Sequence, residues 1–161
     1  LSKTNAVRLL ETRGIPFELR SYDVDESDLS APTVARKIGL PPAQVFKTLL
    51  ARGDRHGPCF AVVPADTELD PKALARASGD RKVELVSLRE VQPLSGYIRG
   101  AVTVLGAKKE YPVYLDESAM RCDVISISAG MRGLQILIAP AQYRETVGAT
   151  LAAIARATAT S

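Results

Sequence analysis

The chain has 161 residues, 46% of them hydrophobic and 24% charged, a balance that suits one globular domain able to bury a core without disulfides or metal. Its net charge of +3 is too small to announce a polyanion binder by itself, and two cysteines with one histidine exclude the ligand spacing of a structural zinc site. No stretch approaches the roughly 20 apolar residues that span a bilayer, and the first residues read as a charged amphipathic helix rather than a signal peptide, so a cytoplasmic, reduced protein is expected.

In chain order, Ser2 is the expected cap of a first helix, with Ala6, Val7, Leu9 and Leu10 at helical spacing and Gly14 as its stop. Residues 16–22 alternate as a strand and run into an acidic loop; from Glu18 to Asp28 five acids (Glu18, Asp23, Asp25, Glu26, Asp28) stand against one base, Arg20. Ser30 caps a second helix that carries Pro32 in its first turn and ends at Gly39. Pro41 and Pro42 prevent its continuation and open a strand over residues 45–51. The glycine-bounded turn at 52–57 leads to a second apolar strand ending at Val63, which makes a hairpin with His56 exposed at its tip and Cys59 as a small core residue. Asp70-Pro71 opens a helix that stops at Gly79, and residues 82–86 form a short strand. Ser87-Leu88-Arg89-Glu90 has the form of a capping box for a short helix expected to end before Pro93. Residues 113–115, 122–128 and 134–139 read as strands, the last two joined by a turn at 129–133, and Pro140 begins a helical tail divided by Gly148. Strands and helices so interspersed predict an α+β fold: one mixed, mostly antiparallel sheet with helices outside.

Two stretches stand out. In an extended segment Val45, Lys47, Leu49 and Ala51 share one side and Phe46, Thr48 and Leu50 the other, so Lys47 is the one charge on an apolar face. A desolvated ammonium needs compensating contacts, and either its stem carries the charge to water or something meets it. The second stretch, residues 96–109, holds Gly96, Gly100 and Gly106 and ends in Lys108-Lys109. Glycines let a ligand approach the backbone, which makes this a candidate cradle for an oxyanion or phosphate, although an ordinary turn-rich loop has the same composition. From Lys72 to Lys109 eight bases face three acids, enough to receive a polyanion or simply to form a solvated face. These residues favour a phosphorylated or ester-bearing ligand, and leave its identity open.

Val45-Phe46-Lys47-Thr48-Leu49, Gly96-Tyr97-Ile98-Arg99-Gly100 with Leu105-Gly106-Ala107-Lys108-Lys109, and Ser128-Ala129-Gly130-Met131-Arg132-Gly133-Leu134 resemble the successive signatures of the YbaK/prolyl-tRNA editing domain family. The resemblance runs over nearly the whole chain, and implies a bent, barrel-like mixed sheet with flanking helices. It implies trans-editing of mischarged tRNA: cleavage of an aminoacyl ester, with cysteine on tRNA for proline as the foremost substrate of the branch this sequence is most similar to. Alanine or another small amino acid on the same tRNA is the alternative. By the same resemblance Lys47 is the essential lysine, Tyr22 and Thr48 are pocket positions, and Gly96, Gly100, Ala101, Gly130 and Gln135 belong to the substrate site, with Lys108 and Lys109 available to tRNA phosphates. Ala101 stands where the family commonly has a second glycine, and Gln135 where it commonly has an acid.

The implied chemistry uses no cofactor and no metal. The substrate's cysteine thiol attacks the already activated ester, and the protein orients it and stabilises the oxyanion, which fits a chain with a single histidine. The implied partners are aminoacylated tRNA and prolyl-tRNA synthetase, and the oligomeric state is left open. A non-catalytic module that binds tRNA or a synthetase, and an enzyme acting on a small phosphorylated metabolite, are the competing readings.

Overall fold

The computed structural model describes residues 3–158. Helix α1 (Asn5–Thr12) is capped by Thr4, whose hydroxyl accepts from the Val7 N–H at 3.2 Å, and Ser2, the expected cap, lies outside the described residues. Strand β1 (Glu18–Ser21) is shorter than the expected 16–22, since its ladder with the strand at 134–138 begins at Glu18 and ends at Ser21. Helix α2 (Ala31–Ile38) ends at Gly39, whose φ of +74° suits a left-handed cap. Ser30 holds the cap position without a side-chain cap bond, and Asp28 braces the entry to the helix, its carboxylate accepting from the Ser30 N–H and the Thr33 hydroxyl. These bonds hold the Asp28 carboxyl down at about 2.

Strands β2 (Phe46–Gly53) and β3 (Gly57–Pro64) form the expected hairpin, paired along their full length. Its tip is tied down by Asp80, which accepts from the Arg55 and His56 N–H groups. A short strand β4 (Thr67–Leu69), not foreseen, precedes helix α3 (Pro71–Ser78) and strand β5 (Val83–Leu85). Helix α4 (Leu88–Ser95) begins with the reciprocal capping box of Ser87 and Glu90, and runs past Pro93, where it was expected to stop. The ring costs it one backbone bond, and the Ser95 hydroxyl adds one by donating to the Val91 carbonyl at 2.7 Å. Strand β6 (Val113–Asp116), a 3-10 turn at Glu117–Arg121, and strands β7 (Ile125–Ser128) and β8 (Leu134–Ile138) follow. After helix α5 (Pro140–Val147) the tail is not helical: it forms strands β9 (Thr150–Ala152) and β10 (Ala155–Ala157). Gly148 ends α5 with φ +65°, and sheet edges elsewhere in the molecule take up the following residues.

The strands pair in mixed, mostly antiparallel fashion, as expected, but divide into three sheets where one was expected. Five strands run β5-β2-β3-β6-β9, with β3-β6 and β6-β9 parallel and the rest antiparallel; β1-β8-β7 form an antiparallel sheet, and β10-β4 a two-stranded ribbon. A single bridge between Val45 and Ser126 joins the two larger sheets, while β5 and β9 are left as edges of the five-stranded one. The main core lies between these sheets and under α1 and α5, with Phe46, Leu50, Phe60, Leu115, Ile127, Ile136 and Tyr143. A second core covers the opposite face of β2-β3 under α3, and includes Cys59, Ala61, Val63 and Leu74.

Candidate functional site

β2 is paired with β3 along one edge, but its other edge meets β7 only at Val45 and β5 only from Ala51 onward. A cleft of about 450 Å³ opens over this gap. The Val45 carbonyl accepts from the Ala65 N–H at 2.7 Å on the β3 side, and the Leu50 carbonyl from the Val86 N–H at 3.1 Å on the other. Alternation along an antiparallel ladder therefore turns the peptide groups of Thr48 away from β3 and toward the cleft.

Lys47 lines the cleft from β2. It is half-buried, and its ammonium donates to the Thr67 carbonyl at 2.6 Å and the Ala65 carbonyl at 3.4 Å. The charge on the apolar face is thus met by carbonyls of the turn into β4, and no carboxylate among the described residues is in ion-pair range. Burial lowers the pKa of the amine, and the nearby Asp66 and Glu68 oppose part of that shift.

Thr48, Gly100 and Gln135 line the same cleft as Lys47, together with Arg99, Ser128 and an apolar wall that includes Leu85, Leu88 and Val91. Gln135 is buried, and its amide oxygen accepts from the Ser126 hydroxyl at 2.8 Å. Thr48 reaches the cleft by its backbone: its side chain is on the Phe46 and Leu50 side, where its hydroxyl faces that of Tyr143 and neither makes a well-formed hydrogen bond. Burial pushes the Tyr143 phenol well up.

Other expected site residues lie elsewhere. Tyr22 lies beside Ser21, Asp23 and Lys37 around a separate shallow depression and packs on the Ala35, Ile38 and Val45 cluster. Gly96 is the left-handed cap of α4, so its N–H is spent on the Gln92 carbonyl. Ala101 is fully buried, donates to the Ile98 carbonyl within a turn, and is not among the residues that line the cleft. Gly130, at φ +94°, makes room for a ring: a Cβ there would stand 2.8 Å from Tyr97 Cε1. Tyr97 in turn donates its hydroxyl to the Leu105 carbonyl at 2.6 Å, so this aromatic fixes the glycine-rich stretch to the β7–β8 turn. Arg132 adds a second tie by donating to the Arg99 carbonyl at 2.9 Å. Lys108 and Lys109 are exposed beyond the far end of α4, about 12 Å of helix from Leu88 at the cleft.

Arg99, Ser128, Leu85 and Leu88 were not foreseen as lining. Arg99 and Ser128 stood inside the two glycine-bearing motifs, and that neighbourhood was the available signal. Exposed Leu85 and Leu88 had none, since a leucine in a short strand or first helical turn reads as core.

Residues 26–146 match the sequence model of the aminoacyl-tRNA editing domain. A protein of Enterococcus faecalis provisionally named Cys-tRNA(Pro)/Cys-tRNA(Cys) deacylase EbsC is 44% identical over 138 residues, covering 86% of this chain and 84% of that protein. Bacillus subtilis YwhH, an uncharacterised protein, is 30% identical over 129 residues, 78% of this chain and 82% of its own. A crystal structure provisionally described as a trans-editing enzyme for prolyl tRNA synthetase shares the fold, with a TM-score of 0.84, 24% identity, and coverage of 97% of this chain and 99% of that one.

Proposed function

Since this chain belongs to the aminoacyl-tRNA editing domain family, we propose that it is a trans-editing deacylase, which cleaves the aminoacyl ester of mischarged tRNA, with cysteine on tRNA for proline as its foremost substrate. The observation that carries this reading is the composition of the cleft. Its charged lining residues are Lys47 and Arg99, its polar ones Thr48, Ser128 and Gln135, and the described lining includes no imidazole, carboxylate or thiol. Such a lining can hold and polarise an ester and an anion, and calls for a substrate that brings its own nucleophile.

Cysteinyl ester does so. Its Sγ attacks the carbonyl carbon of its own ester, an S–C bond closes a four-membered thiolactone, and the C–O bond to the ribose breaks as the thiol proton passes to the leaving ribose oxygen. In this reading the Lys47 ammonium turns from the Thr67 carbonyl to the substrate, and the Thr48 N–H, on the cleft edge of β2, faces the developing oxyanion. Preorganised donors of this kind are worth roughly 10²-fold each. Neither cysteine of the protein suits the nucleophile's role: burial pushes the Cys59 thiol up to about 11 and raises that of Cys122. The substrate places the protein in the cytoplasm with tRNA, and beside prolyl-tRNA synthetase as the source of the error.

The test is a deacylation panel of cysteinyl, S-methylcysteinyl, seryl and alanyl tRNA for proline. Cysteinyl ester should be cleared and the S-methyl and seryl esters spared, with Cys59→Ala and Cys122→Ala as active as the parent. Clearance of alanyl ester in preference would make water the nucleophile and alanine the error removed. Binding of tRNA without clearance of any ester would leave a delivery module in place of an enzyme.

A further inference from the structure

Strand β10 lies beyond residues 26–146, the segment that matches the domain model. It is nevertheless built against the catalytic lysine's support. β10 pairs with β4 so that Ala155 faces Leu69, Arg156 faces Glu68 and Ala157 faces Thr67, the residue whose carbonyl receives the Lys47 ammonium at 2.6 Å. The Thr158 hydroxyl donates to the Asp66 carbonyl at 2.9 Å, one residue away in the same turn. Arg156 Nε donates to Glu68 Oε1 at 2.8 Å.

The strand is itself anchored from inside the molecule. The buried Asp116 carboxylate accepts from the Ile154 and Ala155 N–H groups, each at 3.0 Å, and the Ile154 carbonyl accepts from the Asp70 N–H at 2.7 Å. Ile154 is fully buried in the second core. This is more support than a frayed tail would have, and it converges on the turn at residues 65–67.

We propose that β10 is a positioning element of the site: it clamps the turn that receives the Lys47 ammonium, and Arg156 holds the Glu68 carboxylate to itself so that the lysine stays free for substrate. The charged groups around Lys47 are Asp66 in the turn, Glu68 on β4 and Arg99 across the cleft, with Arg156 reaching it through Glu68; its cross-strand neighbour on β3, Val63, is apolar. A carboxylate freed from its own partner beside a half-desolvated ammonium holds that ammonium's pKa higher, since opposite charges favour the ionised form of both. Arg156 is half exposed, so its replacement removes a weak surface pair and leaves the fold intact.

The inference rests on the deacylase reading only for its activity arm. Labelling of Lys47 by an amine-reactive ester, followed by peptide mass spectrometry across pH, reads the ammonium directly in the full chain. Arg156→Gln should move the labelling midpoint to higher pH, Glu68→Gln should move it lower, and the double variant should follow Glu68→Gln. Arg156→Lys, which keeps a cation opposite Glu68, should stay with the parent. Cysteinyl-tRNA deacylation should fall several-fold in Arg156→Gln and recover in the double variant. A strap of purely structural value would lower the melting temperature of Arg156→Gln and leave the midpoint in place, and that result overturns the proposal, as does a double variant that titrates like Arg156→Gln. A parent that clears no aminoacyl ester would end the deacylase reading, while the labelling still decides the clamp.

Discussion

Lys47 was conspicuous as a charge on an apolar strand face, and the structure meets it with two carbonyls. Replacement by methionine removes a desolvated charge but strands the Thr67 carbonyl, two opposed effects of about 1–3 kcal/mol each. Lys47→Met should therefore melt within about 5 °C of the parent, while single-turnover deacylation falls by ~100-fold or more, the scale of a lost electrostatic contact in a transition state. Unfolding of that variant would make the lysine structural, and full activity would remove it from the mechanism. Thr48 separates backbone from side chain. Its hydroxyl is buried without a well-formed bond, so Thr48→Val should melt at or above the parent temperature and keep turnover within about tenfold. A collapse of turnover without loss of stability would show that the hydroxyl, and not the peptide edge, serves the substrate.

At the scale of elements, α4 is where sequence chemistry and pH dependence meet. The Glu90 carboxylate accepts from Arg52 Nη2 at 2.9 Å and from the Ser87 N–H and hydroxyl, and these contacts hold it at about 2 against an ordinary 4.5. A carboxyl depressed in the folded state stabilises above its unfolded pKa, and that contribution is lost as pH falls through the folded one. The parent's advantage in melting temperature over Glu90→Gln should thus be constant from pH 7 to about 5 and shrink between pH 4.5 and 2. Paired thermal melts across that range check it, and a gap unchanged at pH 2 would show that the cap works without its charge. The same helix carries Leu88 and Val91 into the cleft, so the cap orients one wall of the site.

Across the whole molecule, the exposed lysines Lys108 and Lys109 stand outside the lining of the cleft that holds Lys47. Both follow the stretch after α4, with Lys108 N–H bonded to the Ser95 carbonyl at 2.8 Å. They suit the phosphates behind the terminal residue of a tRNA. Binding of tRNA should weaken steeply with salt, and the Lys108→Ala/Lys109→Ala double variant should lower the slope of log K against log salt by roughly 1–2. Titration at four or more salt concentrations measures it, and an unchanged slope would leave these lysines as a solvated face. No described helix is long and apolar enough to cross a membrane.

Most of the elements are legible in the chain before it folds, because caps, prolines, left-handed glycines and alternation are local: Asp70-Pro71, the box of Ser87 with Glu90, the hairpin over β2 and β3, and the apolar face that isolates Lys47 all act within a few residues. The family signatures likewise brought Lys47, Thr48, Gly100 and Gln135 forward, and these four share the cleft. The roles of the other glycines come from packing between distant segments. Gly96 closes a helix and Gly130 makes space for Tyr97, and neither the helix end nor the ring is visible from the glycine itself. Tertiary structure also turned the tail after Gly148 into β9 and β10, since three-residue segments such as Ala155–Ala157 have no period to read and are strands only because β6 and β4 offer free edges. The partner of the Lys47 ammonium was likewise beyond reach of pattern. A backbone carbonyl accepts by its position, whatever its side chain, and only the path of the chain through the turn into β4 brings Thr67 within 2.6 Å of that amine.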